Sequence, residues 1–222
     1  MVLNMCHVNC IIFCFKNLSR EDIEGKKILE IGSRNVNGSV RPIIESYKPN
    51  EYIGVDMENG PGVDVICTAE SLVERFGERR FDVVISTELI EHTRNWREVI
   101  SNIKKICKPN GIIVVTTRSY GFGYHGYPYD YWRYEPEDMK NIFSDCEISV
   151  LEKDFQGPGV FIKVKKPSNF IENNLSNYKL YSIVVNRKVK QINDKDFRNP
   201  YFLRLQLKRE ILKIGKFVFS FT

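Results

Sequence analysis

A chain of 222 residues suits one domain plus an appendage, and its 42% apolar and 27% charged residues are ordinary for a soluble globular protein with a full core. Residues 168–222 hold 11 of the 33 Lys/Arg and 4 of the 28 Asp/Glu, a net +7, which leaves residues 1–167 at −2. A body without excess positive charge gives no reason to expect a nucleic-acid partner, and no apolar stretch is long enough to span a membrane.

The N-terminus carries Cys6, His7, Cys10 and Cys14. Thiols and an imidazole so close together could ligate zinc or iron, but the spacing matches no C-x-x-C pair, nor the C-x3-C-x2-C of radical enzymes. The expected arrangement is a small apolar segment packed on the body, without metal. Val8–Phe15 is short, contains Asn9 and lacks a basic leader, so it does not read as a signal peptide. Three of the six cysteines stand within apolar runs, which suits a reducing, cytoplasmic setting. Leu18–Gly25 is a predicted short helix with Ser19 as cap and Glu21 and Asp22 in its first turn.

The stretch Lys26–Val40 organises the rest of the chain. An apolar run ending at Gly32 reads as a buried strand stopping at a tight turn. Ser39 is the expected N-cap of a helix carrying Val40, Ile43, Ile44 and Tyr47 at helical spacing, with Pro42 tolerated in its first turn. Strand, polar loop, helix is where open α/β sheets bind ligands. Glu30, near the strand's end, is costly there unless it holds something. Tyr52–Val55 is the second strand, closed by Asp56, whose two oxygens can accept from both hydroxyls of a ribose. A turn at Asn59–Gly62 leads to a third strand around Val63–Cys67, and Thr68-Ala69-Glu70 opens a helix through Phe76. Phe81–Ser86 is the fourth strand, followed by Thr87-Glu88-Leu89-Ile90-Glu91-His92. A helix over about Trp96–Cys107 has Trp96, Val99, Ile100, Ile103 and Ile106 on one face. The turn Lys108–Gly111 then enters a fifth strand, Gly111–Thr117.

Arg118–Glu137 is rich in aromatic residues and glycine and directly follows the fifth strand. Glu135-Pro136-Glu137 opens another helix through Phe143. Cys146–Leu151 and Val160–Val164, joined through Gly157-Pro158-Gly159, read as a hairpin forming the antiparallel edge of the sheet. In the tail, Tyr181–Val185 could be a strand. Tyr201–Phe221 reads as a helix with Leu203, Leu207, Ile211, Ile214 and Val218 in one stripe. Packing on the body is the expected role of this helix. Pairing as a homodimer, or weak contact with an anionic membrane surface, stays open for residues 200–221.

Five features in order resemble the class I S-adenosylmethionine (SAM)-dependent methyltransferases, type 11-like: strand–Glu30–Gly32 loop, strand–Asp56, the Ala69-Glu70 helix start, FDVVIS, and KPNG–strand. The resemblance covers roughly residues 26–165. It implies a Rossmann-like α/β fold, with a mostly parallel seven-stranded sheet, an antiparallel edge hairpin and flanking helices. The implied division is an N-terminal segment, 1–25, a SAM-binding domain, 26–167, and a basic C-terminal extension, 168–222. It implies SAM contacts from Glu30, Gly32, Ser33 and Asn37 in the first loop, and from Asp56 and Met57 after the second strand. Ala69 and Glu70 would lie against the adenine, and Ser86 and Thr87 at the end of the fourth strand. The chain departs from the family pattern where Arg34 and Val36 stand in place of glycines and where Thr68 replaces an acidic residue. A NAD-binding rival would need G-x-G-x-x-G, which is absent.

The HGYP-DYWRY run, His125–Tyr134, resembles a subgroup of these enzymes, many thought to act on glycans or other small polar substrates. It is expected to form a lid in which Tyr127, Tyr131, Trp132 and Arg133 touch the acceptor. A hydroxyl acceptor benefits from a base, and the candidates are His125, Asp130 and His92. Glu88, Glu91 and His92 could instead hold a divalent ion, as in some catechol-type and quinone-pathway relatives, but no metal is expected. The expected function is SAM-dependent methyl transfer to oxygen of a small-molecule or glycan-like acceptor. A non-catalytic SAM-binding module and a nucleotide-dependent oxidoreductase are the alternatives.

Overall fold

The structure, a computed structural model, describes residues 8–126 and 129–219, with side chains through 211. Helix α1 (Val8–Asn17) precedes the short α2 (Arg20–Ile23), which Ser19 and Asp22 close with a reciprocal capping box. Then come β1 (Lys27–Ile31), α3 (Arg41–Ser46), β2 (Glu51–Asp56) and β3 (Val65–Ile66). A 3₁₀ turn, Ala69–Ser71, leads into α4 (Leu72–Phe76), and β4 (Phe81–Thr87) ends before a second 3₁₀ turn, Ile90–His92. Helix α5 (Trp96–Ile106) runs directly into β5 (Cys107–Arg118). Beyond β5 an aromatic-rich segment leads to β6 (Trp132–Arg133), followed by α6 (Pro136–Ile142) and the hairpin β7 (Glu147–Lys153) and β8 (Gly159–Lys165). The tail contributes β9 (Leu180–Ser182), β10 (Arg187–Val189), a 3₁₀ turn over Asp194–Arg198 and α7 (Pro200–Phe219).

Seven strands form one sheet in the order β3-β2-β1-β4-β5-β8-β7. β1 pairs in parallel with β2 and β4, and β4 with β5, while β8 runs antiparallel to both β5 and β7. The central strands are continuous apolar runs because helices cover both faces. On one face, Trp96, Val99, Ile100, Ile103 and Ile106 of α5 pack with Leu29, Val84 and Val115. On the other, Cys10, Phe13 and Cys14 of α1 pack with Ile28, Val83, Ile85 and Val114. The N-terminal segment is thus a core helix. Its two described cysteines are buried and neither is in a disulfide, and Cys6 and His7 lie outside the described residues.

Several boundaries differ from the sequence reading. The α3 cap position falls on Val40, but Ser39 Oγ still accepts from the Arg41 N–H at 3.1 Å. β3 has only two residues. Lys108–Gly111 does not stand before the fifth strand but lies inside β5, with Asn110 at φ 62° and a register shift opposite Phe81 and Val83. The tail holds a second sheet in the order β10-β9-β6, in which Trp132 faces Ser182 and Arg133 faces Tyr181. Leu180, Val184, Ile192 and Phe202 join the same core as the main sheet. On α7 the expected stripe is exposed at Leu203, Leu207 and Ile211, and Phe202 is the residue that docks.

Candidate functional site

The strand order reverses on either side of β1, and a cleft opens there beyond the carboxyl ends of β1, β2 and β4. It holds about 450 Å³, and its walls come from Glu30–Arg34, Val55–Glu58, Cys67–Glu70, Thr87–Leu89, His92–Arg94 and Tyr131. The first loop is held to the next strand: the N–H groups of Gly32 and Ser33 both donate to the Val55 carbonyl, at 2.9 and 3.0 Å. Gly32 sits at φ +77°, and a Cβ there would stand 2.7 Å from Leu89 Cδ1. Asp56 Oδ1 accepts from the Glu58 N–H at 3.0 Å and its Oδ2 lies 3.4 Å from the Arg34 N–H, which fixes the carboxylate at the end of β2. Arg34 and Glu58 form an ion pair between the two loops. Ser33 Oγ is buried against β2, where a Cβ on Gly54 would stand 2.7 Å from it, and has no hydrogen-bond partner among the described residues. On the opposite side, Asn102 donates to the carbonyls of Ala69 and Glu70, at 3.2 and 2.5 Å, and so sets their loop.

Buried carboxylates underlie the floor. Glu30 is nearly fully buried and accepts from the Tyr52 hydroxyl at 2.6 Å. Burial pushes its carboxyl up to about 7, against the hydrogen bond from Tyr52 and the charge of Arg41. Glu88, at φ 53°, is paired with Arg118; burial and the neighbouring Glu91 raise it to about 8 despite that cation. Glu91 accepts from the Thr117 hydroxyl at 2.8 Å.

His92 forms part of the cavity wall. Its Nδ1 lies 2.7 Å from the Tyr129 carbonyl, which can only accept, so Nδ1 carries the proton and Nε2 keeps its lone pair. Burial lowers the His92 pKa, which favours this neutral form. The His125 ring stands edge-on behind it at 4.7 Å. His125 Nδ1 is 2.8 Å from Asp130 Oδ2, and its Nε2 is 3.9 Å from Glu91 Oε1. Asp130 is fully buried and bound by both terminal nitrogens of Arg133, at 2.5 and 2.7 Å. Burial alone would raise its carboxyl; Arg133 and His125 outweigh that and hold it well below the usual range. One donor atom each from Glu91, His92 and His125 lies within 4.8 Å of the others, a set that could hold a metal ion.

A family model for a methyltransferase domain matches residues 13–153. The chain belongs to the methyltransferase-domain family. The ubiquinone biosynthesis O-methyltransferase of Rickettsia prowazekii is 25% identical over 155 residues, which cover 59% of this chain and 62% of that protein. The enzyme of the same name from Rickettsia conorii is 36% identical over 111 residues, covering 46% of this chain and 38% of its own. This methyltransferase-family chain therefore spans less than two thirds of these relatives' length. The 1,6-didemethyltoxoflavin-N1-methyltransferase of Burkholderia thailandensis, solved with that compound and S-adenosylhomocysteine, shares the fold: TM-score 0.58, 12% identity, 71% of this chain and 78% of that one.

Of the residues the sequence nominated for a cofactor, Glu30, Gly32, Ser33, Asp56, Met57, Ala69, Glu70 and Thr87 border the cavity of this methyltransferase fold. Asn37 is exposed and Ser86 is sealed inside β4, both off the cavity wall. Of the lid residues, Tyr131 borders the cavity, and Tyr127 lies outside the described residues. Trp132 and Arg133 are the corrections. Both are fully buried; the indole N–H donates to the carbonyls of Thr93 and Arg94, and Arg133 binds Asp130. They build the lid's interior and do not touch the cavity. His125 and Asp130 sit one layer behind His92. Thr93 and Arg94, one and two residues beyond His92, also border the cavity and were not nominated; the Thr93 hydroxyl donates to the Ile90 carbonyl and the Arg94 guanidinium pairs with Asp194.

Proposed function

We propose that the chain is a SAM-dependent methyltransferase acting on an oxygen of a small-molecule acceptor. The observation that carries the reading is one cavity bordered by Asp56 and the Gly32 turn and also by His92 and Tyr131. The donor set fits the cofactor: Asp56 for the ribose hydroxyls, the Ala69–Glu70 loop for the base, and the buried Glu30 carboxyl for the methionyl ammonium. Bound there, SAM supplies an electrophilic methyl group on a sulfonium. His92 takes the acceptor's hydroxyl proton at Nε2. His125, held by Asp130, backs the His92 ring, and the Glu91 and Asp130 carboxylates favour the protonated form of His92 once the proton has arrived. Burial of this pair keeps water from competing for the methyl group. The names of the curated relatives support oxygen as the target. The lid run HGYP-DYWRY supports the subgroup whose members act on glycans or other small polar compounds, with Tyr131 as the ring that meets the acceptor.

Titration calorimetry with S-adenosylhomocysteine, followed by hydrolase-coupled turnover on hydroxylated acceptors, tests the reading. Binding without turnover on any acceptor makes the chain a cofactor-binding module, and binding of NADH in place of S-adenosylhomocysteine makes it an oxidoreductase. The convergence of Glu91, His92 and His125 supports a second reading, in which these groups hold a divalent ion that binds the acceptor oxygen. Turnover that EDTA removes and magnesium or zinc restores would favour that reading over a metal-free His92 base.

A further inference from the structure

Helix α7 has two unlike faces. Inward, the buried Phe202 ring lies 5.4 Å from Tyr124 in the lid and 5.8 Å from Phe197, and the Arg209 guanidinium stands over the Tyr124 ring at 5.8 Å. The helix is therefore seated on the body. Outward, Leu203, Leu207 and Ile211 are 50%, 62% and 59% exposed. Spaced four apart, they form one stripe. Single exposed apolar residues are normal, but three in register on a seated helix make a continuous strip. Arg204 and Lys208, both exposed, each follow a leucine of the stripe by one position and so form a rail beside it. Residues 200–222 carry five Lys/Arg against the single Glu210, a net +4.

We propose that α7 lies on the surface of an anionic lipid bilayer, with Leu203, Leu207 and Ile211 at the acyl boundary and Arg204 and Lys208 at the headgroup phosphates. An apolar strip flanked by cations satisfies both layers of such an interface at once. A second copy of the chain fits less well, because a two-fold contact along the stripe would bring the same cations together. Among the described residues no helix is long and apolar enough to cross a membrane, so the contact is one of surface adsorption.

The test is flotation of the full chain with vesicles of phosphatidylcholine alone and of phosphatidylcholine containing phosphatidylglycerol. Binding to the mixed vesicles only, weakened by salt, is expected. Arg204→Gln and Lys208→Gln should each weaken it about fivefold. Leu207→Glu with Ile211→Glu should abolish it. S-adenosylhomocysteine binding and the melting temperature should stay unchanged, since these side chains lie outside the cavity. The proposal is overturned if the wild type floats with neither vesicle, or if the charge variants float as well as the wild type. It is equally overturned if the chain elutes as a dimer that Leu207→Glu separates, which would make the stripe a protein interface. If the double glutamate variant does not fold, the two glutamine variants decide the matter alone.

Discussion

Cutting Trp132 to alanine separates a packed lid from a substrate-binding one. The indole is fully buried, and its N–H donates to the Thr93 carbonyl at 3.0 Å and lies 3.3 Å from that of Arg94. Removing a buried aromatic ring of this kind costs about 3–5 kcal/mol. The carbonyls left without their donor add about 1 kcal/mol. The two costs overlap where the cavity relaxes, so about 4–5 kcal/mol is expected in all. For a chain of this size each kcal/mol is worth roughly 2–4 °C, which predicts a fall in melting temperature of about 10–15 °C. Trp132→Phe keeps most of the ring and loses the N–H, so its cost should be only about 1–2 kcal/mol. The assay is thermal melting followed by circular dichroism, with the acceptor KM measured on whichever variants fold. A melting temperature close to wild type in Trp132→Ala, together with a raised KM, would refute the reasoning and return the ring to the acceptor.

Asp56→Ala should weaken S-adenosylhomocysteine by about 1.5–3 kcal/mol in calorimetry, as for a lost charged hydrogen-bond partner; unchanged affinity removes Asp56 from the ribose. Glu30 has its carboxyl raised from 4.5 to about 7, so the fold favours the protonated form, and its stabilising share fades as pH climbs from 4.5 through 7. Between about pH 5.5 and 8 this should cost the cofactor-free protein roughly 2 kcal/mol in urea unfolding. Glu30→Gln should flatten that part of the slope; an identical slope in the variant would mean that Glu30 is already ionised. His92→Ala should lower turnover by about 10²–10⁴ with little change in S-adenosylhomocysteine affinity. His125→Ala should cost less, since its ring stands behind His92; the reverse ranking would make His125 the base.

The Asp56 wall of the cavity was legible because several of its residues sit at strand ends. Glu30, Asp56 and Thr87 close apolar runs, and topology alone delivers such positions to one crevice. The lid was only half legible. A run with Tyr127, Tyr129, Tyr131, Trp132 and Tyr134 reads the same whether its rings face a ligand or one another. What separates Tyr131 from Trp132 is pairing with β9, about fifty residues away, and strands of two and three residues have no periodicity to read. The apolar stripe on α7 is legible as a stripe, but helical spacing alone does not say which of two apolar edges finds the body. Phe202, off the stripe, finds Tyr124 and Phe197 and so turns the leucines outward.

The clamp on the lid also sets an order on the ribosome. Strands β1, β2 and β4 and the Asp56 side of the cavity are synthesised within the first half of the chain. His92 belongs to that half too and Tyr131 follows soon after, yet the strand that holds Trp132 and Arg133, and the Ile183 N–H that binds the Tyr131 carbonyl at 3.0 Å, come some fifty residues later. Loop closure over such a span is slow compared with a local turn. A nascent chain can thus complete the Asp56 wall of the cavity while the Tyr131 wall is still open, and the cavity closes only after the C-terminal strands have emerged.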